Sequence, residues 1–159
     1  MTMVIGVGNP WRSDDAAGLE VARRLEALGE PAIAHEGDGS GLLSHWDGVD
    51  AVVVVDAASS GAAPGTVHRF DAAAGPLPAR LSSSSTHSLG VAEAVELARA
   101  LGRLPQALVV YAIAGESFEA GEGLTPAVEL AVGRLVEELA PRIGSTPGPQ
   151  PPSRLGARP

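Results

Sequence analysis

Three side chains in this 159-residue chain have the types and settings for chemistry: Asp15, Asp56 and His87. Asp15 follows the glycine turn Gly6-Val7-Gly8 and a second acid, Asp14. Asp56 ends the apolar run Ala51-Val52-Val53-Val54-Val55. His87 sits in Thr86-His87-Ser88, just ahead of an amphipathic stretch. Two carboxylates and an imidazole suit a borderline divalent ion such as nickel, zinc or manganese, with coordination positions left open. A helix start disfavours imidazolium, so His87 is expected to be neutral and able to bind a metal. Each residue also has a plainer reading. Asp14 and Asp15 suit a helix N-terminus as caps. Asp56 suits a turn. His87 suits a polar surface. Spacing alone does not bring the three together.

The elements that must position them can be read in order. Met3-Val4-Ile5 runs into the glycine turn, and Leu19–Leu25 is amphipathic, which predicts strand, loop, helix. Loops after the carboxyl ends of such strands are where α/β proteins place their sites. Gly6 and Gly8 begin a dinucleotide fingerprint, but Trp11 stands at the third glycine position, so that motif is incomplete. Ala32–Glu36 reads as a short strand. Gly37–Gly41 is a second glycine loop, and Leu42–Trp46 a short helix with His45 and Trp46 as packing or surface residues. The β-branched run 51–56 predicts a strand buried on both faces. Residues 66–70 alternate, as an edge strand does.

A helix is predicted over 89–101, capped by Ser85 or Thr86, with Leu89, Val91, Val95, Leu97 and Leu101 as its apolar positions. Residues 106–114 form the last strand. Thr125 is the expected N-cap of a helix that begins at Pro126 and ends at Pro141. Its apolar stripe is Val128, Leu130, Ala131, Leu135, Val136 and Leu139. Alternating strands and helices predict an α/β three-layer sandwich, with a twisted, mostly parallel sheet of about five strands flanked by helices. One domain is expected over 1–143, followed by a Pro/Gly-rich tail over 144–159 that is expected to be disordered.

Composition excludes several classes. A net charge of −8 argues against a nonspecific nucleic-acid binder. The absence of cysteine removes thiolate metal sites, disulfides and cysteine nucleophiles. No apolar run approaches the roughly 18 residues of a membrane span, and no leader pattern opens the chain. A cytoplasmic protein without membrane partners is expected. There is no G-x-S-x-G elbow, and the serine run 82–85 reads as a polar loop.

Five motifs in order resemble the hydrogenase maturation endopeptidases. They are Gly6-Val7-Gly8-Asn9 with Ser13-Asp14-Asp15, then Gly37-Asp38-Gly39, Val54-Val55-Asp56-Ala57, Thr86-His87-Ser88-Leu89-Gly90, and Glu116-Ser117-Phe118 with Gly123-Leu124-Thr125-Pro126. The resemblance covers about residues 3–140 and implies a phosphorylase/hydrolase-like sandwich. It implies that Asp15, Asp56 and His87 are the catalytic, metal-contacting residues. Asp15 stands where the family often has glutamate, one methylene longer. Asn9, Asp14, Asp38 and Gly39 are expected to help position substrate. The metal implied is nickel already installed in the substrate, the precursor of a nickel-iron hydrogenase large subunit, from which a C-terminal extension is removed. Zinc, cadmium or another divalent ion would occupy the site in isolation. Catalysis by carboxylates and metal-assisted catalysis both remain open.

Two other readings stand beside this one. A peptidyl-tRNA hydrolase has a similar opening, but its histidine is expected close behind the first motif, and here the first histidine is His35 in His-Glu-Gly. The other is a non-catalytic binding domain in hydrogenase assembly.

Overall fold

A computed structural model describes residues 2–37, 39–78 and 90–143. Five strands form one sheet: β1 (Thr2–Gly8), β2 (Ala32–Glu36), β3 (Ala51–Ala58), β4 (Val67–Asp71) and β5 (Ala107–Ala114). Their spatial order is β2-β1-β3-β5-β4. All neighbours pair in parallel except β4, which runs antiparallel along β5 at the edge. The alternating strand thus lies at the edge, and the continuous apolar runs lie in the middle, as burial on two faces demands.

The central strands send side chains both ways. Val4, Val53, Val55 and Ile113 pack beneath α1 (Ala17–Ala27) and α4 (Pro126–Ile143). Ile5, Val7, Val54 and Val110 pack beneath α2 (Leu42–Trp46) and α3 (Val91–Ala100). Helices cover both faces, which makes three layers. Trp46 is fully buried in the second core. Half-buried His45 meets His35 instead, with Nδ1 of His35 3.0 Å from Nε2 of His45.

Three helical details depart from expectation. The buried stripe of α3 is Val91, Ala92, Ala94, Val95 and Ala98, and Leu97 and Leu101 are exposed. Small alanines let the helix sit close to the sheet, so the contact follows the 91-94-95-98 spacing rather than the largest side chains. On α4 the buried face includes Val132, and Leu130 is exposed. α4 also runs past Pro141 to Ile143, because one missing backbone donor near a helix end does not stop the last turn. The capping positions proposed for α3, Ser85 and Thr86, lie outside the described residues, as does the 144–159 segment. No helix among the described residues is long and apolar enough to cross a membrane.

Candidate active site

Because β1 and β3 are parallel neighbours, their carboxyl ends deliver Asp15 and Asp56 to one rim of the sheet. Residues 9–12 cross that rim, and a single 3-10 turn, Ser13–Ala16, leads into α1. Close backbone approach fixes this geometry. A Cβ at Gly8 would overlap the Asp15 carbonyl oxygen. A Cβ at Gly18 would overlap the Val55 carbonyl oxygen and lie 2.6 Å from that of Val7. Gly18 therefore lets α1 touch the ends of both strands.

The two carboxylates face each other electrostatically. Burial pushes the Asp56 carboxyl up, the nearby charge of Asp15 pushes it further, and it reaches about 8. One hydrogen bond from the Ala57 N–H to Asp56 Oδ1, at 2.8 Å, opposes this. Asp15 is also raised, by burial, against the Arg12 charge and a bond from the Asn9 backbone N–H. At neutral pH such a pair favours keeping Asp56 protonated or taking up a cation. His87 and Asp38 lie outside the described residues. Among the described residues no group of three or more His, Asp or Glu is arranged to hold a metal ion.

Asp14 needs correction twice. Neither the 3-10 turn nor α1 has a side-chain cap, so Asp14 and Asp15 are not capping their own helix. Nor is Asp14 available to substrate, since it is fully buried. Its Oδ2 accepts the N–H groups of Glu116 (2.8 Å) and Ser117 (3.1 Å) and the Thr125 hydroxyl (2.8 Å). Its Oδ1 accepts the Thr125 N–H at 2.8 Å. Burial alone would raise this carboxyl, but the hydrogen bonds outweigh it and the net shift is downward. Asp14 is a brace that ties the rim loop to the loop before α4. Thr125 begins α4 through its carbonyl, which accepts the Glu129 N–H, while its hydroxyl goes to Asp14 rather than to the helix.

The other expected substrate positions are placed as follows. Asn9 shapes the rim loop, its Oδ1 accepting the Trp11 N–H at 2.9 Å. Gly39 is buried at the start of a short 3-10 turn, Gly39–Gly41. The Gly37 N–H bonds the Gly8 carbonyl, which joins the second glycine loop to the first. Arg12 had no signal in composition or periodicity. It borders Asp15 and donates through Nε to the Phe118 carbonyl at 3.2 Å.

A mostly parallel three-layer sandwich with an acid pair on its carboxyl rim defines a class of α/β protein whose chemistry is carried by rim side chains. Comparison with known proteins narrows the class. The family pattern described as hydrogenase maturation protease matches residues 37–142. The Hydrogenase 2 maturation protease of Escherichia coli is 31% identical over 144 residues, covering 86% of this chain and 87% of that protein. The solved structure of the E. coli hydrogenase maturating endopeptidase HybD shares 27% identity at a TM-score of 0.68, covering 87% of this chain and 88% of that one. A hydrogenase maturation protease from Thermococcus kodakarensis shares 25% identity at a TM-score of 0.70, covering 88% and 90%. The chain belongs to the hydrogenase maturation proteases. It is a hydrolase, and that membership sets aside the peptidyl-tRNA hydrolase reading.

Proposed function

We propose that this protein cleaves the precursor of a nickel-iron hydrogenase large subunit, removing its C-terminal extension once nickel is in place. The observation that carries the proposal is the Asp15–Asp56 pair, with Asp56 raised to about 8. Paired carboxylates on one rim offer two uses. One is general acid–base work on water attacking the scissile amide. The other is contact with the substrate's nickel, which relieves the repulsion that raises Asp56. The donor set fits a divalent ion, since both groups are oxygen donors and a cation would compensate the charge Asp56 gains on losing its proton. His87 is the third contact that the family motif assigns. A divalent ion at such a site can polarise a carbonyl and lower the pKa of its water. Asp15 and Asp56 meanwhile orient the substrate's metal end and hold or release one proton between them. Asn9 on the rim loop, and Asp38 by the family motif, remain the proposed substrate-positioning residues.

The test is direct. Purified protein is mixed with the nickel-loaded precursor and the precursor mass is followed. A discrete C-terminal loss is expected, absent with nickel-free precursor and absent with folded Asp15→Asn, Asp56→Asn or His87→Ala variants. A nickel-loaded precursor that binds yet stays intact overturns the protease reading in favour of a non-catalytic assembly domain.

A further inference from the structure

The chain has two tryptophans with opposite fates. Trp46 is in the core at 1% exposure, whereas Trp11 is 63% exposed, more than any other large apolar residue described. Scattered exposed leucines on helices need no explanation. Trp11 is different, because it stands on the rim loop four residues before Asp15, and its main chain is fixed from every side. Its N–H donates to Asn9 Oδ1, and its carbonyl accepts the Gly121 N–H at 2.9 Å. The next residue pairs with Gly121 as a parallel bridge, and its guanidinium reaches the Phe118 carbonyl. Ser13 donates its N–H to the Gly121 carbonyl and its hydroxyl to the Glu119 carbonyl, and takes a positive φ of 53°. A loop this constrained holds an indole in water on the same rim segment that leads to Asp15. The order needed for binding is already in place, and an indole has only two side-chain torsions left to fix.

We propose that Trp11 is a specificity-determining residue for the reaction, its indole face receiving the precursor segment next to the scissile bond. This rests on the cleavage reading above. The occupant is an extended peptide already committed to the rim by its reacting end, so the residue that meets its neighbouring side chain is the exposed aromatic on the same loop. The residues that carry most binding energy in protein contacts are enriched in Trp, and Trp11 is the exposed one here.

The experiment labels the protein with fluorotryptophan and follows both signals by fluorine NMR, the Trp11 signal being identified by its loss in Trp11→Phe. Nickel-loaded precursor is expected to shift or broaden the Trp11 signal and leave that of Trp46 in place. Trp11→Ala is expected to raise KM for cleavage about tenfold or more with kcat nearly unchanged, and Trp11→Phe to recover most of the loss. A Trp11 signal unmoved at saturating precursor, or Trp11→Ala cleaving with wild-type KM, overturns the inference. If wild-type protein binds the precursor without cleaving it, the protease reading fails separately. The NMR shift and the loss of binding affinity in Trp11→Ala then decide this inference on their own.

Discussion

Replacing Asp14 tests whether it is a brace or a replaceable acid at a helix start. Asp14→Ala strands three backbone N–H groups and one hydroxyl in a fully buried site. Bonds to a charged acceptor contribute about 1.5–3 kcal/mol each, but loop relaxation and entering water recover part of the loss. A net cost of about 3–5 kcal/mol is therefore expected, against about 1 kcal/mol for a lost cap. Asp14→Asn keeps one acceptor for the three-donor oxygen position and turns an NH2 toward the Thr125 N–H, so about 2–3 kcal/mol is expected. Urea denaturation at neutral pH, with the slope checked for two-state behaviour, reads both values. The acid dependence gives a second reading. Asp14 has a folded value below its ordinary 3.8, so its stabilisation is complete above the unfolded value and is lost as pH falls through the folded one. The gap between wild type and Asp14→Asn should narrow only below about pH 4. A cost near 1 kcal/mol for Asp14→Ala, or a gap that does not narrow in acid, would refute the brace.

Asp56→Asn should abolish cleavage while stabilising the metal-free protein at neutral pH by on the order of 2–4 kcal/mol, the usual trade at a strained site. Because Asp56 is raised from 3.8 to about 8, its penalty on wild-type stability grows as pH rises between those values, so urea midpoints of wild type and variant should diverge over that range. Nickel or zinc ions should raise the melting temperature of the metal-free protein, more at pH 8 than at pH 6, and Asp15→Asn with Asp56→Asn should remove the effect in a thermal shift assay. Gly18→Ala places a methyl group against the Val55 and Val7 carbonyls and should cost about 3 kcal/mol or more, seen as lost soluble yield or an early urea midpoint.

The frame was legible because its signals are local. Val52–Val55 is β-branched throughout and lies mid-sheet, while Val67–Asp71 alternates and lies at the edge. Helix faces were less legible where alanine competes with leucine. Leu97, Leu101 and Leu130 looked like core positions, yet the sheet took the alanine-lined face of α3. The role of Asp14 could not be read locally at all. Its partners are 102–111 residues away, and an acid before a helix carries the same local pattern whether it caps or braces. The closing motif Glu116-Ser117 with Thr125 was a usable signal, since two backbone-rich segments without apolar periodicity need a partner for their N–H groups.

The adjacent acids Asp14 and Asp15 show why that distinction matters for mechanism. Both belong to the same 3-10 turn, yet their carboxyls shift in opposite directions. Four donors hold the first ionised and immobile. The second, whose charge acts on Asp56, has one backbone N–H and the Arg12 charge to offset its burial. The turn fixes the relation between them, so anchoring Asp14 to the loop before α4 also fixes where Asp15 points. Asp15, raised by burial, would relax by swinging into water if its turn were free. The brace denies that escape, so charge tension between Asp15 and Asp56 persists until a proton or a cation relieves it. On this argument, Asp14→Asn should weaken ion binding in the thermal shift assay even where the protein stays folded. An unchanged ion response in a folded Asp14→Asn protein would show that Asp15 is held by its own surroundings.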